Sequence, residues 1–92
     1  MWTPSENAKI VGILPDYRLY ILSNVSIVEA SEKCAKDLID SDTFSIFTKR
    51  VRNVKNPVQR IAEHIRRMDE VSSGMKPPES DEEHNWAGCY KY

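Results

Sequence analysis

Lys9-Ile-Val-Gly-Ile-Leu14 and Tyr17-Arg-Leu-Tyr-Ile-Leu22, divided by Pro15-Asp16, are the longest apolar runs near the start of the chain, and their secondary structure determines its fold class. Both runs are apolar and rich in β-favouring residues, and Pro-Asp is a turn signal, so the local chemistry predicts a hairpin. In the second run Tyr17, Leu19 and Ile21 share one face of a strand, and Arg18, Tyr20 and Leu22 share the other. A strand so apolar on both sides is expected near the middle of a sheet.

Beyond Leu22, Ser23-Asn24 reads as a turn, and Ser26-Ile-Val-Glu29 is a capping box in which hydroxyl and carboxylate serve the first free helical N–H groups. A helix is predicted over 27–40, with Ile27, Val28, Ser31, Cys34, Ala35, Leu38 and Ile39 on the face laid against the sheet. Glu29–Lys33 and Glu32–Lys36 are i,i+4 pairs on its wet side. Thr43–Arg52 reads as a third strand whose apolar phase slips between Ile46 and Phe47, the mark of a bulge or of burial on both faces. Asn56-Pro57-Val-Gln59 then opens a second helix with an asparagine cap and proline at the first helical position. Val58, Ile61, Ala62, Ile65 and Met68 form its apolar stripe, while Arg60, Glu63, His64, Arg67 and Glu70 point away. Ser72-Ser-Gly74 and Pro77-Pro78 stop it. The predicted fold is α+β, in ββαβα order, with two helices on one face of a small sheet. Residues 1–78 form the domain, and 79–92 an acidic, aromatic-ended tail.

At 92 residues the chain is one domain. Small domains bury only about 60–65% of their unfolded surface, so a deep catalytic pocket would compete with the core for few apolar residues. No run approaches the roughly 18 apolar residues of a membrane span, and the start lacks a basic segment followed by an apolar one. A cytoplasmic protein is expected, in the host cytoplasm if the chain is viral. Two cysteines, Cys34 and Cys89, are far from a disulfide framework and are read as thiols.

The net charge of −1 hides three blocks. Residues 1–42 carry 4 basic and 7 acidic side chains, 43–67 carry 7 and 1, and 68–92 carry 2 and 6. A polyanion would feel the central block as a local field. It comprises Lys49, Arg50, Arg52 and Lys55 around the end of the third strand, and Arg60, Arg66 and Arg67 on the second helix. These seven are the candidate partner-binding residues, since repeated phosphates need clustered cations. Glu63 can pair with Arg66 or Arg67, and Arg66 with Glu70, which would neutralise part of the patch. The acidic run Glu79-Ser-Asp-Glu-Glu83 can be a plain linker, a counter-charge folded over the patch, or a nucleic-acid mimic. Trp86, Tyr90 and Tyr92 are costly to leave in water and are expected to dock, on the domain in preference to a partner.

Cys34, His64, His84 and Cys89 are zinc-ligand types, yet no spacing joins two of them, and no metal or other cofactor is expected. Gly12, Gly74 and Gly88 are too scattered for a phosphate loop. No catalytic constellation is evident. The chain therefore reads as a non-enzymatic binding protein acting on a large protein or ribonucleoprotein complex, with RNA or DNA backbone as a candidate contact and neither membrane nor small-molecule substrate expected. The alternative is an independent nucleic-acid-binding regulator using the surface from Lys49 to Arg67.

In its size, its strand–helix–strand pattern over Tyr17–Arg52 and its opposed charge blocks, the chain resembles the small phage-encoded inhibitors of the anti-CRISPR type. That resemblance implies inhibition of a guide-RNA surveillance complex, by occluding target DNA or contacting its RNA. Those inhibitors share no common sequence signature, so no functional residue carries over.

Overall fold

The structure, a computed structural model, describes residues 2–41 and 55–86, the side chains of Glu82 and Trp86 excepted. Four helices follow in order: α1 Pro4–Leu22, α2 Ile27–Asp40, α3 Pro57–Ser72 and the short α4 Asp81–Trp86. Among the described residues there is no strand. The expected α+β fold is therefore corrected to a helical one, and the expected third strand, Thr43–Arg52, lies outside the described residues.

The correction turns on α1, which runs unbroken through both halves of the expected hairpin. Ile10, Leu14, Tyr17 and Ile21 recur at the four–three–four spacing of one helical face, and the first three are buried in the core. Thr3 caps the helix: its hydroxyl accepts from the Glu6 N–H at 3.1 Å, and Glu6 Oε1 accepts from the Thr3 N–H at 2.7 Å. Pro15 sits inside the helix on its exposed side, where the missing N–H faces water and not the core. Tertiary burial of one face has overridden the local β preference of the stretch.

The helix ends at Ser23 in a Schellman motif. Asn24 adopts φ 68°, its N–H bonds the Ile21 carbonyl at 3.0 Å, and the Val25 N–H bonds that of Tyr20 at 3.0 Å. Helix α3 closes the same way, with Gly74 at φ 85° and the Met75 N–H on the Glu70 carbonyl at 2.8 Å. A left-handed residue is needed at each place, so glycine is at ease there and asparagine tolerable.

Helix α2 has the bounds its sequence predicts, but it packs on α3 and α1 instead of a sheet. Its small inward residues, Ala30, Ser31, Cys34 and Ala35, are fully buried and let α3 approach with Ile61, Ile65 and Met68. Each large aliphatic side chain so buried contributes about 1.5–3 kcal/mol relative to exposure. Ser26 accepts from the Glu29 N–H at 3.2 Å, half of the expected box, while Glu29 pairs with Lys33 at 3.7 Å. Ile27 and Val28, expected on the buried face, are exposed.

Candidate functional site

The expected basic patch divides by what each residue touches. Lys49, Arg50 and Arg52 lie outside the described residues. Lys55 and Arg60 are exposed at the start of α3, and among the described residues neither forms an ion pair. Asn56 caps that helix by position alone, without a side-chain bond to the backbone. The first free N–H groups of α3 thus add their partial positive charge to two solvent-facing cations. Arg60 and the exposed Glu63 border two shallow recesses of about 210 Å³ each, one shared with Asn56 and Gln59, the other with Trp2, His64 and Arg67.

Arg66 and Arg67 are used within the fold. Arg66 Nη1 donates to the buried Ser31 hydroxyl at 2.8 Å, tying α3 to α2. Arg67 forms a bidentate pair with Glu83, Nε to Oε2 at 2.9 Å and Nη2 to Oε1 at 2.7 Å. It also lies 3.4 Å from Glu79 and donates to the Pro77 carbonyl at 3.3 Å. Hydrogen bonds from Arg67 outweigh desolvation and hold the Glu83 carboxyl down at about 2, below its ordinary 4.5. Glu63, expected from helical spacing to meet Arg66 or Arg67, is not the partner of Arg67, and Glu70, expected for Arg66, instead takes Lys76 at 2.8 Å. The acidic run is thus no plain linker at Glu83 and Glu79. It acts as a counter-charge on Arg67, with α4 capped by Ser80, whose hydroxyl accepts from the Glu83 N–H at 3.1 Å. Tyr90 and Tyr92 lie outside the described residues.

His64, read from its position as pointing away, is half-buried between α3 and the chain's start. Trp2 stacks on its ring with centroids 4.2 Å apart and planes within 5°, and Nε2 lies 2.7 Å from Asn7 Oδ1. Burial lowers its pKa to about 4, more strongly than Glu6 and Glu83 raise it, with Arg60 adding to the lowering. The imidazole is therefore neutral at pH 7, and the 2.7 Å contact is a donation from Nε2–H to the amide oxygen. The Thr3-Pro4-Ser5-Glu6 cap was the missed signal: a helix starting there carries Asn7 beside α3.

Cys34 is buried in the core, and burial, with Asp16 and Asp37, pushes its thiol up to about 11. It is a packing residue, remote in role from the stacked, hydrogen-bonded His64. Cys89 lies outside the described residues, and His84 is exposed on α4. Among the described residues no three His, Cys, Asp or Glu side chains are grouped to hold a metal ion, and no helix is long and apolar enough to cross a membrane. Neither a family model, a curated protein nor a solved structure matches the chain.

Proposed function

We propose that this chain is a non-enzymatic binding protein that engages an anionic surface of a larger protein or ribonucleoprotein assembly through the basic corner where α3 begins. The observation that carries the reading is the contrast within the patch. Arg67 is paired with the Glu83 carboxylate and Arg66 is turned to the Ser31 hydroxyl on α2, while Lys55 and Arg60 face solvent beside a helix start that no side chain caps. Cations without an ion pair among the described residues, placed where helix N–H groups already favour an anion, suit an external contact. Lys49, Arg50 and Arg52, adjoining in sequence, extend the same charge. The likeness to anti-CRISPR-type inhibitors now rests on size and charge blocks, because Tyr17–Leu22 is helical.

Capture of partners by tagged wild type and by a Lys55→Ala/Arg60→Ala variant, with and without nuclease, tests this. The expected result is a partner retained after nuclease treatment, released by raised salt and lost from the variant. Loss on nuclease treatment would move the reading to direct nucleic-acid binding. An unchanged partner set with the variant would overturn the basic corner as the contact.

A further inference from the structure

The opposite end of α3 carries a second surface. Between the C-terminal part of α1, the start of α2 and the turn after α3 lies a cleft of about 420 Å³, walled by Tyr17, Ile21, Ile27 and Met75. That volume falls within the roughly 300–1,000 Å³ of small-molecule sites, whose walls are mostly apolar with a few orienting polar groups. Ile27 and Met75 are 53% and 67% exposed at its mouth, so apolar surface that a ligand could cover faces water.

Three charged residues also line the cleft, and their pairing is uneven. Asp69 accepts from Arg18 Nε at 2.8 Å, and Glu70 lies 2.8 Å from Lys76 Nζ. Each acid therefore has its own cation. Arg66 meets the neutral Ser31 hydroxyl, and among the described residues no carboxylate lies within ion-pair distance of it. A guanidinium has five N–H donors, so its bond to Ser31 leaves a fork that can take a carboxylate in bidentate geometry. Among the described residues, the charge left over at the cleft is a single, half-buried positive one.

We propose that the cleft binds a small apolar carboxylate, such as the anion of a medium-chain fatty acid, with its chain against Tyr17, Ile21, Ile27 and Met75 and its carboxylate on Arg66. The apolar walls account for the body of the ligand and the unmatched guanidinium for its head. An alcohol of the same chain length would fill the same volume while leaving Arg66 without a counter-charge. The site shares no residue with Lys55 and Arg60, so it stands or falls apart from the basic corner.

Titration of decanoate into isotopically labelled protein, followed by NMR, tests the assignment. Saturable shifts are expected at Tyr17, Ile21, Ile27, Arg66 and Met75, with decanol binding about tenfold more weakly or worse. Arg66→Gln, which removes the charge and is too short for the Ser31 bond made by Nη1, should bring decanoate down to the level of decanol while shifts away from the cleft stay in place. Ile27→Glu, an exposed change at the first position of α2, should weaken decanoate by a similar factor without disturbing the core. Shifts that do not saturate below the micelle range of decanoate, that fall on other residues, or that are equal for decanol and decanoate would overturn the proposal. So would full decanoate affinity in both variants.

Discussion

At the residue scale the most consequential side chain is His64, whose burial makes stability depend on pH in a definite direction. Its pKa is about 4 in the fold against 6.5 for the free side chain. The folded state thus favours the neutral ring, and the stability this confers is complete above pH 6.5 and lost as pH falls from 6.5 towards 4. A gap of that size corresponds to roughly 3 kcal/mol at full effect. Denaturant unfolding at pH 7.5, 5.5 and 4.5 should show wild type losing most of that margin, while His64→Gln, which cannot titrate, stays nearly level over the window. The Glu83 carboxyl, held at about 2, acts in a lower window: its contribution is present above 4.5 and lost as pH falls towards 2. Trp2→Ala tests the cause of the histidine shift. With the stacked indole gone, the ring gains water, and its pKa, followed by NMR, should rise towards 6.5. An unmoved value would place the burial elsewhere.

At the element scale, α1 is stable in spite of two residues that oppose it. A Cβ added at Gly12 would meet nothing within 4 Å, and the position lies inside a helix. Gly12→Ala should therefore raise stability by about 0.5–1 kcal/mol. Pro15→Ala restores an N–H toward the Val11 carbonyl and removes the ring clash, and should add about 1–3 kcal/mol. Both are measured by denaturant or thermal unfolding, and a loss from either would mean that the proline ring at 15 or the missing side chain at 12 is needed for packing on α2. These two residues also explain how much of the fold was legible. Helix α2 and the bounds of α3 could be read because Ser26, Asn56, Pro57 and Gly74 punctuate stripes that are apolar on one side. In α1 the apolar residues stand all round, with Val11, Ile13 and Tyr20 half-buried and Leu19 and Leu22 exposed. No single stripe therefore competed with the alternation of a strand, and Pro15-Asp16 took the place of a turn. The site was legible as a charge block. Which cations remain available was not, because the partners of Arg66 and Arg67 come from Ser31 and Glu83, beyond the reach of helical spacing.

At the scale of the whole molecule, α3 separates two surfaces. Arg60 lies toward one end and Glu70 toward the other, ten residues or about 15 Å apart along the axis. The acidic run closes on the basic side of this axis, where Glu83 and Glu79 neutralise an arginine that borders the same recess as Arg60. If Glu83 and Glu79 restrain the basic corner, their removal should expose it. The variant Glu79→Gln/Glu83→Gln keeps the side-chain size but releases Arg67 as a third available cation beside Lys55 and Arg60. Binding to a single-stranded DNA oligonucleotide, used as a generic polyanion across a salt series, should then become tighter at low salt. The slope of log affinity against log salt should steepen by about one, the signature of one more phosphate contact. Adding Arg67→Gln should return both quantities to those of wild type, which separates release of that arginine from a general change in net charge. A gain that survives Arg67→Gln would assign the effect to lost repulsion by the acids themselves, and no gain would leave the Arg67–Glu83 pair as a clamp that fastens α4 to α3 and does nothing to the surface beyond it.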